Sequence, residues 1–187
     1  MSVLDELFSG DDERAYAAAS LVTADDLPAL RAALAGEDPN RRWWAVAALA
    51  AASIPNEPAT ELLTDALRDA DVDIRAAAVH SLGWRPASEA VSPLMRALAD
   101  PSDYVDRLAA DALIHIGRPA VPDLIDALMH DPQPRVRAGA ARALAYSGDP
   151  AAIPALFGAL EDESLLVQHW VEEGLDKLGV GQVYFTA

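Results

Sequence analysis

A period of 31 residues runs through this chain, and a period of that length restricts it to architectures in which one small supersecondary unit is stacked on the next. The stretch Asp131-Pro-Gln-Pro-Arg-Val-Arg-Ala-Gly-Ala-Ala-Arg-Ala-Leu144 lies without a gap over Asp100-Pro-Ser-Asp-Tyr-Val-Asp-Arg-Leu-Ala-Ala-Asp-Ala-Leu113. The same step links Asp69, Asp100, Asp131 and Asp162 at the start of a unit, and Leu82, Leu113, Leu144 and Leu175 in its first helix. Leu49 precedes Leu82 by 33 residues, so the early units are less regular. A second leucine column, Leu34, Leu67, Leu98, Leu128 and Leu160, follows each first helix. Each member has another leucine four residues earlier, at Leu30, Leu63, Leu94, Leu124 and Leu156, which is the spacing of an amphipathic second helix.

The punctuation agrees. Asp-Pro at 38-39, 100-101 and 131-132 offers an N-cap oxygen followed by a proline that gives up an N–H the first turn cannot use. Gly83, Gly117 and Gly148, with Pro86, Pro119 and Pro150 just beyond, read as stops between the two helices of a unit. Ala77-Ala78, Ala109-Ala110 and Ala140-Ala141 let neighbouring helices approach closely. A compact helical bundle would have no reason to repeat leucines, alanines and turns at fixed spacing. The expected fold is therefore all-α, an α-α superhelix of about six helical hairpins. Residues 1-187 read as a single domain, with units near 1-35, 36-68, 69-99, 100-130, 131-161 and 162-179 and a tail at 180-187.

Val136-Arg137 with Ala140-Ala141 and Ala143-Leu144, then Gly148-Asp149-Pro150, Leu156 and Leu160, resembles the HEAT-like repeat of the phycobilisome lyase type. The resemblance spans about Asp11 to Leu178 and fades at both ends, as terminal repeats do. It implies that the Arg of the Val-Arg pair belongs to an Asp-Arg ladder between units. Here that column reads Arg14, Arg42, Arg75, Asp106, Arg137 and Gln168. Asp106 and Gln168 depart from it, and Arg107 is the expected substitute for the first. The ladder's expected role is structural, since half-buried ion pairs fix geometry.

Thirty acids against 14 bases give a formal charge of −16, which repels phosphate backbones, and the bases are not gathered in sequence. A nucleic-acid role like that of alkylpurine DNA glycosylases built on HEAT-like repeats, which use a basic concave surface, is disfavoured on this ground. Cysteine is absent, so neither thiolate chemistry nor a Cys-ligated zinc arises. No apolar run approaches the ~20 residues of a membrane span, and the acidic start Met1-Ser-Val-Leu-Asp-Glu is unlike a signal peptide. The expected location is cytoplasmic, with no membrane partner.

His80, His115, His130 and His169 form no metal-binding spacing, Gly179-Val-Gly181 is no phosphate loop, and a Gly-x-Ser-x-Gly elbow is missing. No catalytic residue, metal or cofactor is expected.

Two surfaces are candidates for a partner. The column Thr23, Ala51, Trp84, His115, Tyr146, Lys177 lies where the repeat leaves residue type free, and Trp84, His115 and Tyr146 would line one edge. The competing role for these rings is to pack on Pro86, Pro119 and Pro150. Trp44 and Trp170 read as core filling in irregular end units. On the second helices, expected to line the concave face, the free positions include Asp65, Arg68, Arg96, Asp123, Asp126, Met129 and Glu161, an acid-leaning set suited to a basic protein or peptide. The expected function is a non-catalytic interaction scaffold. The resemblance also implies an alternative, a bilin lyase or isomerase-like subunit, in which Trp84, His115, Tyr146 and Asp111 would contact a tetrapyrrole.

Overall fold

The computed structural model describes residues 2–51, 53–85 and 88–180. Among the described residues there are twelve α-helices and no strand. They are α1 (Val3–Leu7), α2 (Asp12–Ala19), α3 (Leu27–Leu34), α4 (Pro39–Leu49), α5 (Asn56–Ala66), α6 (Val72–Trp84), α7 (Val91–Ala97), α8 (Asp103–Ile116), α9 (Val121–His130), α10 (Pro134–Ser147), α11 (Ile153–Gly158) and α12 (Leu165–Lys177). Short 3₁₀ turns at Ala24–Asp26, Ser88–Ala90, Arg118–Ala120 and Pro150–Ala152 lead into the second helices. The expected tail at 180-187 lies, apart from Val180, outside the described residues, as does Pro86.

The Asp-Pro corners work in two ways. At Asp38 the carboxylate accepts from the N–H groups of Asn40 and Arg41 and caps α4, with Pro39 at its first position. At Asp100 and Asp131 the helix starts later than expected, after Ser102 and Gln133. There the aspartate instead closes a turn on the N–H two residues on, at 2.8 Å to Ser102 and 2.9 Å to Gln133. Asp69 and Asp162 make the same bond, to Asp71 at 2.9 Å and Ser164 at 2.8 Å, so the aspartate column is a column of turns.

The glycine stops also divide. Gly117 and Gly148 end α8 and α10 at φ of 75° and 65°, a region that favours glycine. Gly83 does not stop its helix: it is buried inside α6, which runs on to Trp84. The chain turns at Arg85, whose guanidinium is buried and donates to the carbonyls of Leu49 at 2.6 Å, Ala51 at 3.2 Å and Ile54. Burial lowers the pKa of Arg85, and its Nε has no hydrogen-bond partner among the described residues. Sequence periodicity gives no sign of this clamp.

The chain gathers into two compact units, Met1–Ala90 and Val91–Ala187. In the first, α2, α4 and α6 pack side by side, and α1, α3 and α5 each pack against the first helix that follows, α2, α4 and α6. In the second, α8, α10 and α12 form one row and α7, α9 and α11 the other, again with α7 against α8, α9 against α10 and α11 against α12. Thus α1 packs as the later second helices do.

Leucines at the earlier second-helix position, Leu30, Leu63, Leu94, Leu124 and Leu156, are fully buried, each contributing about 2 kcal/mol over exposure. Leu34, Leu67 and Leu160, at helix ends, are half-buried. The α10–α12 seam is so close that a Cβ on Gly174 would lie 3.0 Å from the Ala145 Cα. Trp44 is buried against Trp43, ring centroids 4.8 Å apart, as its core-filling role requires.

Candidate functional site

The ladder is closed at Arg42 and Arg137. Arg42 grips Asp69 through Nε at 2.7 Å and Nη2 at 3.2 Å. Arg137 grips Asp162 through Nε at 2.8 Å and Nη2 at 3.0 Å, with both side chains only 10% exposed. The third nitrogen of each reaches back to the turn before its own helix, Arg42 to the carbonyls of Gly36 and Glu37 and Arg137 to that of Asp131. Arg75 makes the same backward bond to Asp69. One arginine thus ties its own corner to the next. The Asp162 carboxyl is held below its usual pKa by Arg137, against the opposing effect of burial. For Asp69 burial is the largest influence and raises the pKa, but Arg42, the Asp71 N–H and Arg75 together outweigh it and the net shift is downward.

Gln168, which cannot carry charge, still donates to the Asp162 carbonyl at 2.6 Å and keeps the backward half of the role. The expected substitution of Arg107 for Asp106 does not occur. Arg107 Nε bonds the Asp103 carbonyl of its own helix at 2.9 Å. Asp106 is taken instead by Arg135 of the following repeat, at 2.7 Å, and Arg135 also holds Asp103 at 2.7 Å. The polarity of this rung is inverted. The physical reason is reach: Arg135, two residues before Arg137 on α10, extends back across the seam between α8 and α10 and meets the acid there.

Inversion leaves Asp131 with its turn bond to Gln133 but no arginine on its carboxylate among the described residues. Asp131 lines a groove of about 750 Å³ between α7 and α9, together with Met95, Arg96, Asp123, Asp126 and His130. His130 Nδ1 lies 3.0 Å from Asp126, and Arg96 donates to Ser92 of its own helix at 3.0 Å. Negative charge dominates. Of the sequence candidates, Arg96, Asp123 and Asp126 come together here. Met129 does not line this groove: its Cε would be 3.1 Å from a Cβ on Gly158 of α11. Asp65 lies in the first unit on α5, paired with Arg68 at 3.6 Å.

The first unit has a groove at the matching place, about 620 Å³, between α1 and α3. The column arginine before it, Arg14, pairs with Glu6 at 2.5 Å, and the column aspartate, Asp38, lines the groove. Its other walls carry the apolar Leu4, Phe8, Ala29 and Ala32 and the acids Asp5 and Glu37, and Arg41 lies 4.6 Å over the Phe8 ring.

The aromatic column is exposed: Trp84 at 64% in the first unit, His115 and Tyr146 in the second. Its last two members touch, the Lys177 ammonium lying 4.6 Å over the Tyr146 ring. Tyr146 also meets Trp170, centroids 6.2 Å apart, and Arg142 sits 5.7 Å from that ring while bonding Asp111 at 2.6 Å. Sequence reasoning passed over Arg142 and Glu173, although one and two 31-residue steps from Asp111 reach them. Among the described residues no group of three or more His, Asp or Glu could hold a metal, and no helix is long and apolar enough to cross a membrane.

A family model of HEAT repeats matches residues 27–114 and 121–182. The chain belongs to the HEAT-repeat family. Solved HEAT-like and armadillo structures share its all-helical solenoid fold. YibA of Escherichia coli is 21% identical with a TM-score of 0.58, over 97% of this chain and 71% of that one. Human deoxyhypusine hydroxylase, in complex with glycerol, is 22% identical at 0.54, over 95% and 72%. A designed armadillo repeat protein in complex with the peptide (KR)4 is 21% identical at 0.51, over 94% and 98%. Among curated proteins no sequence matches this HEAT-repeat chain.

Proposed function

We propose that this HEAT-repeat protein is a non-catalytic scaffold whose α7–α9 groove takes a basic segment of a partner protein. The observation that carries the reading is the groove itself, where Asp123, Asp126 and Asp131 face one arginine, Arg96, in a space large enough for side chains of an extended peptide. A designed armadillo protein of similar fold is described with the basic peptide (KR)4, which makes that peptide a suitable probe. The exposed rings of Trp84, His115 and Tyr146 are proposed as secondary contacts along the repeat edge. Arg142 already engages Asp111, so the tetrapyrrole alternative has one contact fewer to offer.

Fluorescence anisotropy with labelled (KR)4 tests the reading at two salt concentrations. The double change Asp123→Asn, Asp126→Asn is expected to weaken binding about fivefold, as two part-exposed charge contacts would. Equal affinity of the wild type and the double variant would remove the groove from consideration. A shift in bilin absorbance on mixing would favour the tetrapyrrole role instead.

A further inference from the structure

We propose that the α7–α9 groove is completed by an arginine side chain of the partner, which takes on Asp131 the place that the ladder's own arginine leaves empty. This rests on the groove reading above and names the residue chemistry it selects.

The chain itself displays the bond in question. Asp69 and Asp162 each spend one oxygen on the N–H two residues on, at 2.9 and 2.8 Å, and each receives a two-pronged guanidinium from the preceding repeat. Asp131 is the same residue at the same point of the repeat, with the same turn bond at 2.9 Å. Where the guanidinium donor should stand, the chain has Asp106, and Arg135 has turned away to Asp106 and Asp103. Asp131 therefore lines an open groove of about 750 Å³, with no cation within ion-pair distance among the described residues.

Arginine fits this place better than lysine. Its planar fork makes two parallel bonds to one carboxylate, as Arg42 and Arg137 do here, whereas an ammonium acts as a point charge. Met95, Ala99 and Ala127 on the groove walls offer apolar surface to the methylene stem, and Asp123 adds negative charge. The groove's own base, Arg96, is tied to Ser92.

The test uses two labelled octapeptides, alternating Arg-Gly and alternating Lys-Gly, titrated against the whole protein. The wild type is expected to bind the arginine peptide about three- to tenfold more tightly, the gap between a forked and a point-charge contact. Asp131→Asn keeps an oxygen for the Gln133 N–H, so the turn survives, and it should abolish the preference. Asp123→Asn should weaken both peptides alike and leave their ratio intact. Equal binding of the two peptides by the wild type, or a preference that persists in Asp131→Asn, overturns the inference while leaving the basic-partner reading standing. Failure of both peptides to bind the wild type overturns the two together.

Discussion

The two grooves occupy the same place in the repeat and each is lined by three acids and one arginine, but they differ in what their second helices present. Aligning Leu30 with Leu124 puts Ala29, Ala32 and Gly36 of the first unit at the positions of Asp123, Asp126 and His130 in the second. Each groove is lined by a column aspartate, Asp38 in one and Asp131 in the other; the column residue before the first is Arg14, paired with Glu6, and before the second Asp106, held by Arg135. The repeat decides where an opening occurs, and positions without packing duties decide which charges its second helices present. The intact rungs at Arg42 and Arg137 show the alternative, a corner stitched shut by the chain's own side chain.

Breaking an intact rung should cost most. Arg137→Ala strips Asp162 of its partner at a site only 10% exposed, and a loss of about 3 kcal/mol is expected in urea unfolding. A loss below about 1 kcal/mol would mean that the rung contributes no more than a surface pair. The same rung sets an acid response. With its folded-state pKa depressed, Asp162 contributes stability that is present above the unfolded carboxylate value near 4 and lost as pH falls through the folded value. Wild-type stability should therefore decline below about pH 4, and Arg137→Gln should show a shallower decline over the same range.

The inverted rung is more exposed, Arg135 at 33%, so Arg135→Ala should cost only about 1 kcal/mol by the same assay. Placing Asp at positions 29 and 32 together should give the first groove the second's chemistry, and calorimetry with (KR)4 should then show an additional binding phase several-fold weaker than a buried contact would give. An unchanged isotherm would show that lining charge alone does not make a site. Arg31→Ala, which breaks a pair with Glu61 at 3.4 Å whose partners are both more than half exposed, should leave the unfolding midpoint unchanged within error.

The repeat was readable because every helix of a row meets the same neighbours, so the same residue types return at the same step. Leu94, Leu124 and Leu156 were predictable as core for that reason, and the contact of Lys177 with Tyr146 follows from their shared column. What could not be read depends on where a long side chain goes after it leaves the helix. Nothing in the spacing distinguishes Arg135, which crosses to Asp106, from Arg107, which folds back onto its own backbone. Arg85 is harder still, because its counterparts one and two periods on are Ile116 and Ser147 and the periodic signal is silent there. For the groove, Arg96, Asp123 and Asp126 were identifiable as free positions, but the place of Asp131 in its lining was hidden by its membership of a structural column.

The inverted rung also gives the repeats a fixed order. Copying residues 100-130 in tandem would set Asp106 of the first copy against Tyr104 of the second, the counterpart of Arg135, and strand a carboxylate only 18% exposed. Unequal recombination could lengthen a uniform array freely, but at this junction it meets an address that only one neighbour can answer.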